Sequence, residues 1–343
     1  MSNEKITRRD FLKTSGIVSL AGLGAGCPLN DYLTKEDYIL EYSLGDKLNE
    51  FPVKITYPSV NEEPLPIIAF SHGFGTSPNL YSKTLDCIAR EGYFVIAPEH
   101  NDYVNLLSNN QIINLENFGR IEDDSRIVFD AIRRIQGYEN ITVRESFDLL
   151  FNGVIPYENS NTQIVDTFNN FVGYRHDELF VALNFAKEFN NVNPNIIGLS
   201  GHSLGGVPVI EILSESEKSG DDSIKAGLLL SPANNLTSIK SLSKPTRWVT
   251  GNLDEFYSNT LKGYKNSIGP CSFVSFDEVA HANFVTPFNR RDKPEESYEE
   301  RIEKIEGINC ASTCFLNYWL KGNARDDIFF DEYENIVLEY YTH

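Results

Sequence analysis

A serine, a carboxylate and a histidine, the three residue types that act together in acyl transfer, follow one another in this chain. The serine is Ser203, in the pentapeptide Gly201-His202-Ser203-Leu204-Gly205. An apolar run precedes the pentapeptide and a helical pattern follows it, as in a nucleophile elbow on a strand–turn–helix. Gly201 and Gly205 leave room for the sharp turn, and the helix directs its N-terminal amides toward a developing oxyanion. The motif predicts Ser203 as the nucleophile.

A serine hydroxyl needs a general base, and the base needs a carboxylate that orients it. In the fold that the elbow predicts, these residues follow in the order Ser, Asp or Glu, His. The chain has six histidines. Those before Ser203 are His72, His100, His176 and His202, and His343 is the terminal residue. His281, in a loop after an apolar strand, is therefore the predicted base.

Few carboxylates between Ser203 and His281 stand at the end of a strand. Asp254 follows an apolar strand by a short loop, 51 residues after the serine (254−203) and 27 before the histidine (281−254). We predict Asp254 as the acid, with the adjacent Glu255 as the alternative. Asp277 and Glu278 lie too close to His281 in sequence to bridge to it easily.

Acyl transfer also requires two backbone amides that stabilise the oxyanion. The residue after the nucleophile, Leu204, supplies one of them in such folds. The second comes from the loop after the strand that ends at Ser71, where His72-Gly73 allows a tight turn and Phe74 is the predicted donor. This chemistry needs no cofactor, and the cysteines and histidines lack the spacing of a metal site.

The remaining elements alternate between strands and helices, which predicts an α/β fold with a mostly parallel sheet. Two paired strands (38–44 and 51–58) precede a buried strand at 65–71, and predicted helices include 174–189 and 310–320. Residues of about 101–173, rich in asparagine and acidic side chains, interrupt this alternation and are interpreted as an inserted cap over the site. We predict one domain, 38–343, after a linker at 28–37.

The first 27 residues resemble a bacterial export signal. Arg8-Arg9 forms a twin-arginine pattern, and the weakly apolar run 16–23 is too short to span a bilayer. Residues 23–27 resemble a lipobox that ends at Cys27. The prediction is export by the twin-arginine route. The product is either a cell-envelope lipoprotein lipidated at Cys27 or a cleaved periplasmic or secreted protein.

The composition limits the partners. A formal net charge of −19 argues against nucleic acid and against anionic lipid, because both require a basic surface. Membrane attachment is therefore expected only through an N-terminal lipid anchor. Besides Cys27, four cysteines remain, which allow three pairings; free thiols or one disulfide are both compatible with the sequence.

Three segments resemble the α/β-hydrolase superfamily: residues 70–75 (Phe-Ser-His-Gly-Phe-Gly), 201–206 (Gly-His-Ser-Leu-Gly-Gly) and 280–284 (Ala-His-Ala-Asn-Phe). Within it, the chain is similar to plasma-type platelet-activating-factor acetylhydrolases, bacterial polyester hydrolases and dienelactone-hydrolase-like esterases. The resemblance implies an α/β-hydrolase fold, in which helices flank a mostly parallel central sheet. Plasma acetylhydrolases place their acid after the strand that here ends Leu230-Ser231-Pro232, where this chain has no carboxylate. Asp254 instead resembles the polyester-hydrolase arrangement.

These residues predict a serine-dependent carboxylic ester hydrolase that acts through an acyl-enzyme on a small-molecule, lipid or polymeric ester. Other acyl hydrolases on the same scaffold are the alternatives: a lipase or phospholipid acetylhydrolase, a chlorophyllase-like hydrolase or a peptidase. An alternative of a different class is a catalytically inactive envelope binding protein.

Overall fold

The computed structural model describes most of the chain outside its N-terminus and the region around 101–161. The described residues are 33–44, 47–61, 63–73, 76–100, 162–233, 242–254, 256–285, 297–323 and 327–342. The export signal with Cys27, residues 28–32 of the predicted linker and most of the predicted cap lie outside them. Those predictions stay predictions. Residues 33–37, the rest of the predicted linker, belong to the first strand.

In the described part of the chain, nine strands form one sheet in the order β1-β2-β4-β3-β5-β6-β7-β8-β9. The first two strands form an antiparallel hairpin that pairs antiparallel with β4, and β9 pairs antiparallel with β8. All other neighbours are parallel. The strands are β1 (Leu33–Leu44), β2 (Lys47–Pro58), β3 (Leu65–Ser71), β4 (Phe94–Pro98), β5 (Val192–His202), β6 (Ile224–Leu230), β7 (Thr246–Gly251), β8 (Cys271–Phe276) and β9 (Val337–Thr342).

Helices cover both faces of this sheet. They are α1 (Ser82–Arg90), α2 (Thr162–Ala186), α3 (Gly206–Ser219), α4 (Tyr257–Asn266), α5 (Tyr298–Lys321) and α6 (Ile328–Glu332). Successive side chains of a strand point to opposite faces, so a strand buried on both faces must be apolar throughout. In β3, Ile67 and Ala69 join the core under α2 and α3, whereas Ile68 and Phe70 join the core under α1 and α5. The predicted α/β-hydrolase sheet, mostly parallel and flanked by helices, is confirmed.

Two helices are longer than the sequence pattern predicted. The helix predicted at 174–189 begins at Thr162, inside the range interpreted as a cap, and ends at Ala186. The helix predicted at 310–320 begins at Tyr298. Its start is set by a capping box, because the Ser297 hydroxyl accepts the Glu300 amide at 3.1 Å and the Glu300 carboxylate accepts the Ser297 amide at 2.7 Å.

The parallel strands bring their carboxyl ends to one edge of the sheet, where ligands bind in open α/β folds. Ser71 ends β3 and Ser203 follows β5, while Ser231 and Asp254 follow β6 and β7. His281 opens a 3₁₀ turn after β8. Residues far apart in sequence therefore meet at this edge. Over the described residues, none of the helices is both long and apolar enough to cross a bilayer.

Candidate active site

Ser203 lies at a strained turn between β5 and α3. Its φ of +54° is in the left-handed region, which costs a non-glycine residue on the order of 1–3 kcal/mol. The turn continues as a short 3₁₀ segment, Ser203–Gly205, directly into α3. A Cβ on Gly201 would lie 2.2 Å from the Gly205 carbonyl oxygen, and one on Gly205 would lie 2.1 Å from that of Ser71. Only glycine fits at either position, so the local sequence matches the geometry of a nucleophile elbow.

Asp254 and His281 are paired at the same edge of the sheet. The His281 Nδ1 atom lies 3.2 Å from Asp254 Oδ1 and 3.1 Å from Oδ2. A carboxylate only accepts hydrogen bonds, so this contact places the proton of a neutral imidazole on Nδ1. In this tautomer Nε2 is the atom of the ring that can accept a proton from a hydroxyl.

Asp254 is buried and is held by two further donors. Its Oδ1 atom accepts the Phe256 amide at 2.8 Å, and its Oδ2 atom accepts the Ser231 hydroxyl at 2.5 Å. The Ser231 oxygen also lies 3.3 Å from His281 Nδ1. These contacts fix the Asp254 carboxylate in one orientation, in which it faces the imidazole of His281.

The His281 ring packs between two other rings. Its centroid lies 4.5 Å from that of His202 and 4.8 Å from that of Phe256. His202 directly precedes Ser203, so this packing brings His281 beside the elbow. Burial, and then the charge of His281, hold the pKa of His202 well below its usual range. His202 therefore stays neutral and does not repel an imidazolium at His281.

Of the two predicted oxyanion donors, only Leu204 belongs to the described residues. It is buried in the turn after Ser203, at the start of α3. Phe74, and Glu255 as the alternative acid, lie outside those residues. The two residues before Phe74 are described, and Gly73 lies beside the elbow: a Cβ there would be 3.4 Å from the Ser203 Cβ.

Sequence reasoning missed several polar residues that surround this site. Ser231 carries no motif signal, although it follows the strand after which, by the resemblance noted in the sequence, plasma acetylhydrolases place their acid. Tyr81, Arg175 and Glu178 belong to helical stretches whose periodicity indicates only packing. Their hydrogen bonds join segments about a hundred residues apart, so no local pattern could have identified them.

The described residues contain no group of three or more His, Cys, Asp or Glu side chains arranged for a metal ion. Within the same residues, the four cysteines are free thiols. Cys310 and Cys314 lie one turn apart on α5 with their sulfur atoms 3.9 Å apart.

Comparison with known proteins identifies the family. The sequence profile described as "Platelet-activating factor acetylhydrolase, isoform II" matches residues 23–232, more than half of the chain. The chain belongs to this family. The match includes the loop after β3 and the elbow, and it confirms the resemblance to the acetylhydrolase group of α/β-hydrolases. It ends before Asp254 and His281.

The platelet-activating factor acetylhydrolase of Gallus gallus is a relative, to which the chain is 23% identical over 257 residues. This similarity covers 69% of the present chain and 57% of the relative. The chain thus spans little more than half the length of that protein.

Proposed function

We propose that this protein is a serine-dependent carboxylic ester hydrolase. The observation that carries the proposal is the Asp254–His281 pair, whose imidazole packs on the residue that precedes Ser203. A strained serine, an imidazole whose Nε2 atom can accept a proton and a buried carboxylate on its Nδ1 atom are the groups required for acyl transfer. Membership of the acetylhydrolase family supports the same reaction class.

In the proposed mechanism, His281 takes the proton of Ser203 as its oxygen attacks the ester carbonyl. The Leu204 and Phe74 amides stabilise the tetrahedral oxyanion. His281 then protonates the leaving alcohol, which leaves an acyl group on Ser203. Water, deprotonated by the same histidine, attacks the acyl-enzyme and releases the carboxylic acid.

Labelling with a fluorophosphonate probe tests the nucleophile. The unmodified protein should be labelled, and Ser203→Ala should not. The kcat of this variant on a p-nitrophenyl ester should fall by about 10⁶-fold. Ser200→Ala is the matched control, because the buried Ser200 hydroxyl has no hydrogen-bond partner among the described residues. An unlabelled wild-type protein would support the alternative that this is a catalytically inactive binding protein. A labelled Ser203→Ala variant would show that the nucleophile is another residue.

The family match favours one substrate class, a phospholipid that carries a short acyl group. The position of the acid after β7 favours the broader esterase assignment, by its resemblance to polyester hydrolases. Rates on p-nitrophenyl esters of rising chain length, on an sn-2-acetyl phospholipid and on a polyester film separate these alternatives. A lipase would prefer the longer acyl chains, and a chlorophyllase-like hydrolase would accept a bulky phytyl ester.

We also propose that the protein is exported by the twin-arginine route and anchored through Cys27. The Arg8-Arg9 pair and the lipobox-like residues 23–27 support this location. Replacement of both arginines by lysine should retain the protein in the cytoplasm. Cys27→Ala should abolish incorporation of labelled palmitate. Palmitate on the Cys27→Ala variant, or export without the arginine pair, would contradict the proposal.

A further inference from the structure

The turn that carries His281 is closed by the side chain of Asn283. The Ala280 amide donates to Asn283 Oδ1 at 2.8 Å, and the Ala280 carbonyl accepts the Asn283 amide at 3.0 Å. Both backbone polar groups of the residue before His281 are therefore bonded to one residue that follows it. Asn283 is only 2% exposed, so competing water does not weaken these bonds.

The residue after Asn283 connects this turn to the elbow. The Phe284 side chain is buried, and its ring centroid lies 5.4 Å from that of His202 with an interplanar angle of 22°. The His281 centroid lies 4.5 Å from that of the same histidine. His281 and Phe284 thus pack on the residue before Ser203 from one short turn. A change in the shape of the turn would therefore move the imidazole relative to the elbow.

The segment before His281 is bonded to the loop that carries Asp254. The Leu253 amide donates to the Val279 carbonyl at 3.1 Å. A Cβ on Gly251 would lie 2.0 Å from the same carbonyl oxygen, so the two backbones are in close contact there. Leu253 directly precedes the predicted acid, and Val279 stands shortly before the predicted base. The position of the turn therefore also sets the distance between the carboxylate and the imidazole.

Helix α5 holds the start of the same segment. The Lys304 ammonium donates to the Glu278 carbonyl at 3.1 Å and lies 3.9 Å from the Glu278 carboxylate. Glu278 has a φ of +51°, in the left-handed region, where a non-glycine residue is strained. Such a conformation persists only when its surroundings hold it. Lys304 is buried, and its bond to the carbonyl supplies part of this support.

We propose that Asn283 and Lys304 are positioning residues for ester hydrolysis: through their bonds to Ala280 and Glu278, they hold the His281 imidazole in place beside the acid and the elbow. This role rests on the proposed function, because it presupposes His281 as the base for the nucleophile. Both residues act through the backbone that precedes His281.

The test is a double-mutant cycle with Asp254→Asn, in which kcat is measured on a p-nitrophenyl ester. Asn283→Ala removes the acceptor of the Ala280 amide and adds no atom that could clash. It should lower kcat by about 10²-fold, the cost of a catalytic group displaced by about 1 Å, and change KM by less than about twofold. Lys304→Met keeps the apolar stem of the side chain and should lower kcat by about tenfold.

Non-additivity separates positioning of the base from a merely structural role. Asp254→Asn already deprives His281 of its orienting carboxylate, so displacing the imidazole in that variant removes little more activity. Asn283→Ala should therefore lower kcat by less than about threefold in the Asp254→Asn background. A defect that only reduces the folded fraction would lower kcat by the same factor in both backgrounds. Equal factors overturn the proposal.

Two further variants serve as controls. Asn283→Asp keeps an oxygen that accepts the Ala280 amide, so its kcat on the alkaline plateau should stay within about threefold of wild type. Asn193→Ala is the matched control, because Asn193 Oδ1 also accepts a backbone amide, that of Asn195 at 3.1 Å, but at the start of β5, the end remote from Ser203. It should leave kcat and KM unchanged. If Asn283→Asp is as slow as Asn283→Ala, the bond to Ala280 does not position the base.

The outcomes also separate this inference from the function on which it rests. A wild-type protein that hydrolyses no ester and takes no fluorophosphonate overturns both. An active, labelled wild type whose Asn283→Ala variant keeps the wild-type kcat overturns only the positioning role. If Asn283→Ala does not fold, Lys304→Met decides in the same cycle, and additivity with Asp254→Asn there overturns the proposal.

Discussion

Replacing Asp254 by asparagine tests the proposed catalytic residues at the carboxylate that orients the base. The asparagine side chain has nearly the same shape, so the fold should be retained, but one carboxylate oxygen becomes an NH₂ group. The Phe256 amide points at Oδ1 from 2.8 Å, so an NH₂ group placed there would oppose another donor. The amide oxygen must therefore occupy this position, and the NH₂ group must face Ser231 and His281.

This orientation reverses the tautomer of the base. The Ser231 hydroxyl can rotate and accept from the NH₂ group, but His281 Nδ1 then meets a donor at about 3.1 Å. The NH₂ group therefore favours an imidazole with its proton on Nε2, where it cannot accept one from Ser203, although the amide oxygen stays 3.2 Å from Nδ1. A wrong tautomer of this kind lowers kcat by about 10⁴-fold, or about 5 kcal/mol of transition-state stabilisation.

The assay is steady-state hydrolysis of a p-nitrophenyl ester, with thermal unfolding measured on the same samples. Asp277→Asn is the matched control, since Asp277 also follows a strand at this edge but bonds to Asn252 at 2.7 Å and to the Glu278 amide. It should keep more than about half of the wild-type rate. If Asp254→Asn is folded and keeps a tenth of the activity or more, Asp254 is not the acid and this reasoning is refuted.

Two further predictions concern stability. Gly205→Ala should lower the free energy of unfolding by about 3 kcal/mol in urea titration, because its Cβ would lie 2.1 Å from the backbone oxygen of Ser71; a variant as stable as wild type would contradict the tight turn. Acid should also destabilise the fold, because His72, His100 and His202 are held neutral with lowered pKa values while the unfolded chain takes up their protons near pH 6.5. Stability is therefore present above that pH and lost as the pH falls below it, by about 4 kcal/mol for the three residues between pH 7.5 and 5.5. In His202→Phe this loss should be about two thirds as large, and an equal loss in wild type and variant would show that His202 is not buried in its neutral form.

Much of the site was predictable because strand order constrains it. The elbow motif predicts Ser203 as the nucleophile, and the required order of the residues predicts His281 as the base among the six histidines. Asp254 could be proposed because strand ends share one edge of a parallel sheet. The structure places the Asp254 carboxylate 3.1 Å from His281 Nδ1. The catalytic roles of these residues stay predictions.

The supporting residues could not be predicted in this way. Arg175 binds a carbonyl 103 residues away, and Tyr81 reaches a histidine 121 residues away. Such contacts depend on how a helix is rotated against the sheet, which hydrophobic periodicity does not specify. The start of α5 was missed for a different reason. Its first turns are charged, and only the Ser297–Glu300 capping box signals them.

The contact between Ser231 and Asp254 has a consequence for where a carboxylate can stand in this fold. Neighbouring parallel strands are about 4.8 Å apart, so side chains from the ends of β6 and β7 reach the same imidazole nitrogen. Here Ser231 and Asp254 both approach His281 Nδ1, at 3.3 Å and 3.1 Å. Exchange of the two side chains would move the negative charge by one strand while the imidazole kept its place. The two adjacent strand ends thus offer equivalent positions for the carboxylate. A related sequence could carry it on either strand while the serine and the histidine keep their places.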